Sequence, residues 1–336
     1  MSEAEAARRR GDVLRDLGRF DEARAAYDQA IALGDGIRAP VDKARLLMLL
    51  GDHEQGLPLY ETRWRSPEAG IAAPLDPALW GGRAKLGGKS ILLRAEQGPG
   101  DTLQMLRYAP ILAQARARVV LQVQAPLLTL ARTAPGVAAA LTLGEPAPKT
   151  DLVCPMMSLP LLLGRRFDTP GPSAYLQASH ERWETWEARL GPRRRRRIGL
   201  AWSDAEDNGG LALAALEPLL WADVDFVSLQ MDHPPADAIF MDASGRVRDL
   251  SDGLLDFADM AGLVAALDLV IAVDTAAAHL AGALGKPVWL LLPFTPDFRW
   301  GLGRIESPVY PSARLFRQPR PGDWDAAVGE VVRALA

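Results

Sequence analysis

The chain has one cysteine, Cys154, and four scattered histidines, His53, His180, His233 and His279. A single thiol excludes an internal disulfide and a cysteine-rich zinc site, and histidines so spaced outline no metal site. No metal is expected. No hydrophobic run reaches the length of a bilayer span, and Met1-Ser2-Glu3-Ala4-Glu5 holds no apolar signal-peptide core. The expectation is a cytoplasmic protein without a membrane span. A large excess of one charge is missing too: 38 Lys and Arg face 42 Asp and Glu, for a net charge of −4. That balance gives no basic field for nucleic acid. Walker A and Gly-x-Ser-x-Gly motifs are absent. Asp223-Val224-Asp225 has the spacing of a metal-binding acidic pair, but it heads a strand and is read as chance.

What is present is an ordinary globular composition, 49% hydrophobic over 336 residues. That length suits two domains and a small appendage. Leu267 to Ala272 reads as a buried parallel strand, and the Ala-rich stretch behind it as a helix ending at Gly285. Asp274 and Thr275 therefore stand between a strand's carboxyl end and a helix's amino end. His279 follows one turn later on the same side. Free N–H groups and the positive helix end make that place a seat for phosphate oxygens, or simply a capped helix. A second strand, glycine turn and helix runs from Ser90 to Gln104. Gly98 and Gly100 allow a sharp turn and close approach, and Asp101 is placed at the N-cap of a helix running to Tyr108. Two such turns in separate α/β halves describe a cleft between two Rossmann-like domains.

The expected strands of the first half are Ile91 to Arg94, Val119 to Val123 and Asp151 to Cys154. Those of the second are Ile198 to Trp202, Asp225 to Leu229, Leu269 to Val273 and Val288 to Leu292. Helices are expected over Ser179 to Leu190, Phe257 to Leu267 and Asp323 to Ala336. Ligands of open α/β sheets bind beyond the carboxyl ends of strands. Candidate donor contacts are thus Trp202, Ser203, Gln230, Asp274, Thr275 and His279; Gln230 reads equally as a strand-end residue facing water. Before these halves, Gly11, Leu14, Gly18, Phe20, Ala23, Tyr27 and Ala30 fall at the spacing of a tetratricopeptide repeat. Ala44, Leu47, Gly51, Gly56 and Tyr60 follow as a weaker second copy. Two copies fall short of a free-standing solenoid, so they either brace the rest of the chain or dock a protein. The five arginines 193–197 read as a solvated linker or as a patch steering an anionic ligand.

These motifs resemble a known family. Gly98 to Gln104 is similar to the Gly-Leu-Gly-Asp turn of the ADP-heptose lipopolysaccharide heptosyltransferases, and Asp274 to Gly285 to their nucleotide-sugar site. The resemblance is closer to bacterial proteins with tetratricopeptide repeats ahead of such a module, through Ala95 to Gln104, Arg107 to Pro110, Val273 to Trp289 and Ser307 to Pro311. It implies the two-domain GT-B architecture: repeats over 1–70, an acceptor-side Rossmann-like domain over 71–190, and a nucleotide-sugar domain over 191–336 whose closing helix crosses back to the first. It also implies an inverting, metal-independent glycosyltransferase with no cofactor, using a nucleotide sugar and a glycan or protein acceptor. In the family the acid matching Asp101 is the base, although an Asp there also caps its helix. Gly98, Gly100, Gln104 and Arg299 are further candidates for acceptor or phosphate contacts.

Two positions depart from the family. Pro99 stands where Leu is usual, and the turn from Ser203 to Leu213 has three acids and no basic residue. Like charge there would weaken a diphosphate contact unless Arg299 or the 193–197 run compensates. A noncatalytic sugar-nucleotide-binding or scaffold protein is therefore the alternative.

Overall fold

The computed structural model describes residues 1–65, 79–169, 172–203 and 210–336. The acidic residues of 204–207 lie outside the described residues. Four helices open the chain: α1 (Glu3–Asp16), α2 (Phe20–Ala32), α3 (Arg38–Leu49) and α4 (His53–Tyr60). They form the two helical hairpins that the repeat spacing predicts. At the first crossing a Cβ on Gly11 would stand 2.5 Å from the ring of Tyr27, so only glycine lets α1 and α2 approach so closely. Tyr27 is fully buried and donates its hydroxyl to Asp12 at 2.9 Å.

The first half runs β1 (Ser90–Arg94), α5 (Pro99–Met105), α6 (Ala109–Gln114), β2 (Arg118–Val123), α7 (Leu128–Arg132), β3 (Val137–Thr142), β4 (Leu152–Pro155) and α8 (Leu159–Leu162). The second follows as α9 (His180–Leu190), β5 (Arg197–Ala201), α10 (Glu217–Leu220), β6 (Asp225–Ser228), α11 (Pro235–Ser244), β7 (Val247–Arg248), α12 (Phe257–Ala265), β8 (Leu269–Ala272), α13 (Ala276–Ala283), β9 (Val288–Leu292), β10 (Ala313–Arg317) and α14 (Trp324–Leu335). Among the described residues the strands form two parallel sheets, ordered β3-β2-β1-β4 and β10-β9-β8-β5-β6-β7. Strands covered on both faces carry continuous apolar runs; β5 and β8 are buried at every position.

Three strands escape the sequence pattern. β3 is alanine-rich and β10 alternates with arginines, both as edge strands, and β7 has two residues. The closing helix also differs from expectation. α14 buries Ala327, Val328 and Val331 among Ile198, Leu216 and Phe316 of the second half's own core, and so stays on its parent sheet. The halves meet through a continuous apolar cluster that includes Leu103, Tyr175, Ala277, Ala278 and Tyr310. The expected cleft is closed along this seam.

Candidate active site

The Gly98 to Asp101 turn and the turn at Asp274 and Thr275 face each other across that seam. α5 lies on α13 so closely that a Cβ on Gly100 would come within 2.8 Å of the His279 ring. Glycine at 100 thus serves contact with the opposite half. Asp101 is not the N-cap; Gly98 is, and Asp101 sits three residues inside, its Oδ2 accepting the Gly98 amide at 3.1 Å. The helix expected to run to Tyr108 ends at Met105, and a 3-10 turn continues it.

Arg299 crosses from the second half to meet this turn. Its guanidinium pairs with Asp101, donates to Asp297 at 2.6 Å and donates to Gln104 Oε1 at 3.0 Å. Burial opposes the charge on Arg299, yet Asp101 and Asp297 hold it well above its ordinary pKa. Both oxygens of Asp101 are therefore engaged, one by a cation and one by a backbone amide.

Asp274 ends the β8 segment and Thr275 caps α13 without a side-chain hydrogen bond. The first N–H groups of a helix have no intrahelical acceptor, and here the Thr275 hydroxyl is also buried and unpartnered. Gln104 Nε2 is buried and unpartnered as well. A buried donor without an acceptor is costly, and both atoms could donate to the oxygens of a ligand. His279 stands 3.5 Å from Asp274 through Nε2 and 2.9 Å from the Tyr310 hydroxyl through Nδ1. Its ring stacks on Trp300 with centroids 5.3 Å apart. Burial pushes the Asp274 carboxyl up, but the hydrogen bond and charge of His279, helped by Arg299, outweigh it and hold the carboxyl below its usual value. Its side chain keeps about a third of its surface, at 32% exposure, which leaves room for contact with a ligand.

The other candidates fare differently. Ser203 and Gln230 lie just past the carboxyl ends of β5 and β6 and bond to each other, Gln230 Nε2 donating to Ser203 Oγ at 2.9 Å. Trp202 is a correction: its side chain is fully buried in the second core and donates to Asp237 at 2.8 Å, leaving no side-chain atom for a donor. The arginine run is another. Arg193 pairs with Asp268, Arg195 with Asp223 at 2.8 Å, and buried Arg197 with Glu187 at 2.7 Å. All precede or open β5, at the strand end opposite the site, so they cannot compensate for the acidic turn. Sequence reasoning also missed Asp297 and Trp300. Tyr310 falls within the Ser307 to Pro311 stretch of the resemblance, where the sequence attaches no role to it.

Residues 252–319 match the model of glycosyltransferase family 9 (heptosyltransferase), and residues 4–36 that of the tetratricopeptide repeat. The first of these stretches is what the chain shares with family 9 glycosyltransferases, and it contains Asp274, Thr275, His279, Arg299 and Tyr310. The chain is 28% identical to protein FlbA of Caulobacter vibrioides, a match covering 95% of this chain and 59% of that one. It thus spans about three fifths of that curated relative. Two solved structures share the fold. The family 9 glycosyl transferase of Veillonella parvula superposes with a TM-score of 0.56 at 12% identity, over 75% of this chain and 97% of that one. The ADP-heptose lipopolysaccharide heptosyltransferase II of E. coli gives 0.51 at 17%, over 73% and 98%. The α/β fold with parallel sheets behind a helical segment is therefore similar to that of family 9 enzymes. Among the described residues no helix is long and apolar enough to cross a membrane, and no three acidic, histidine or cysteine side chains group as metal ligands.

Proposed function

We propose that the chain is an inverting, metal-independent glycosyltransferase of GT-B type that moves a sugar from a nucleotide sugar to a glycan or protein acceptor at the seam between its two sheets. The observation that carries this reading is the meeting of Asp101 with Arg299 where α5 packs on α13, the helix whose N-cap Thr275 hydroxyl is unpartnered. In this reading the donor's diphosphate lies at the amino end of α13. Asp274 is itself an anion there, so the balancing charge must come from Arg299, with His279 beside it. Arg299, Thr275 and the helix N–H groups would stabilise the departing diphosphate, which is why no metal is invoked. Asp101 would take the proton of the acceptor hydroxyl. Its pairing with Arg299 sets a condition: the diphosphate must draw the guanidinium away before the carboxylate can act as a base. With Asp101 taking its proton, the acceptor oxygen would attack the anomeric carbon as the diphosphate leaves on the opposite side, which inverts that carbon.

The engaged state of Asp101 and the packed seam favour a second reading, a noncatalytic binding or scaffold protein. Calorimetry with nucleoside diphosphates, paired with turnover of nucleotide sugars, separates the two. Thr275→Val should weaken diphosphate binding about ten- to hundredfold, as for one charge-assisted hydrogen bond. Asp101→Asn should nearly abolish turnover while holding donor affinity within about threefold. Binding with no turnover by the wild type would establish the scaffold reading. The repeats are proposed to dock the acceptor on their outer face, because the end of α4 is buried against the two halves.

A further inference from the structure

The helical segment contacts both lips of the seam. Tyr60, the last residue of α4, is 1% exposed. Its hydroxyl accepts a hydrogen bond from Gln97 Nε2 at 2.7 Å, in the turn ahead of Asp101. Its ring meets Phe298 edge-on at a centroid distance of 6.0 Å, one residue before Arg299. Phe167 closes the triangle, 6.3 Å from Tyr60 and 5.1 Å from Phe298. A relay of hydrogen bonds leads on from Gln97: its carbonyl accepts from Gln124, whose Oε1 accepts the hydroxyl of Thr102 at 2.9 Å, beside Asp101.

Neighbouring contacts fix the same two loops. Arg63 lies over the Tyr60 ring at 4.8 Å and pairs with Glu96 at 2.7 Å. Burial works against both charges of that pair. Arg63 is nonetheless held above its ordinary pKa by Glu96, while burial still pushes the Glu96 carboxyl up. At the other end of the repeats Phe294 packs on Gly18, and Thr295 donates to the Arg15 carbonyl at 3.0 Å.

We infer that Tyr60 is a positioning residue for glycosyl transfer, and that the helical segment is the third wall of the site, setting where Asp101 stands relative to Arg299. This rests on the seam being the transfer site and adds a function for the repeats beyond docking. The test uses the full chain and the nucleotide sugar that the wild type consumes best from a panel of ADP-, UDP- and GDP-sugars. Tyr60→Phe keeps the ring and deletes the hydroxyl's bond to Gln97 along with its contact to Arg45. It should lower kcat about five- to tenfold, leave donor KM within about twofold, and move the melting temperature by less than about 3 °C. Gln97→Leu breaks the same bond from the other side. It should give the same loss, and the double variant should add little to it. Wild-type kcat in Tyr60→Phe, a parallel loss of donor affinity, or additive variants would overturn the inference. A wild type that consumes no nucleotide sugar would instead overturn the transfer reading on which it depends.

Discussion

Arg299→Met removes the one cation that Asp101, Asp297 and Gln104 share. The methionine fills most of the volume, so the loss is electrostatic rather than a cavity. Removing one partner of a buried ion pair costs about 3–5 kcal/mol, because the other charge is left uncompensated. Here the side chains of Asp101 and Asp297 keep 18% and 29% of their surface, against 8% for Arg299. Water therefore reaches the stranded carboxylates in part, and the expected loss falls to about 2–3 kcal/mol. Urea unfolding at neutral pH measures it, with an unchanged m-value as the check that both forms unfold alike. The Asp101→Asn variant closes a double-mutant cycle whose coupling should be about 1.5–3 kcal/mol. A partly buried pair should lose little of that coupling between low and high salt. A loss under about 0.5 kcal/mol, or an additive cycle, would refute the claim that this pair joins the halves.

Gly100→Ala places a methyl against the His279 ring and should destabilise the chain by about 1–3 kcal/mol or part the seam, whereas Gly36→Ala, in open space, should stay within about 0.5 kcal/mol; equal urea midpoints for the two variants would show that α5 and α13 are not in contact. Asp274, whose folded-state pKa lies below its ordinary 3.8, contributes stability that is present above that value and lost as pH falls through the lowered one. Asp274→Asn lacks this limb, so its deficit against wild type should shrink from about pH 5 to about pH 2.5; unfolding curves that stay parallel over that range would remove His279 and Arg299 as the cause.

The motifs that local sequence controls were legible. Asp274, Thr275 and His279 fall where a buried strand gives way to an Ala-rich helix, and the strand ends carry Ser203 and Gln230 as expected. Gly11 and Tyr27 announce a helix crossing because small and large residues must match there. What failed was decided at long range. Trp202 reads as a ligand contact because it follows a strand, and only Asp237, on α11, shows it to be core. The closed seam depends on Arg299 meeting Asp101 across 198 positions, and no local pattern encodes that encounter. The arginine run is different: a segment preceding a strand lies at its amino end, so the sequence already held the reason to exclude it from the site.

The seam itself weighs on the choice between enzyme and scaffold. A surface that only joined two halves would gain most from apolar packing, and much of this one is indeed Ala, Leu and Tyr. Yet at one spot it buries Arg299 with two carboxylates, the unpartnered Thr275 hydroxyl, the unpartnered Gln104 amide and a histidine between Asp274 and Tyr310. Apolar replacements of buried ion pairs are often neutral or stabilising, and each orphaned donor costs on the order of 1–3 kcal/mol. Cohesion alone therefore gives no reason for this grouping. The proposed transfer would, because it needs a base, a cation for the leaving diphosphate, and donors for its oxygens. The same grouping predicts that diphosphate binding stabilises the fold by satisfying those donors, whereas a seam that only joined the two halves would gain nothing from it.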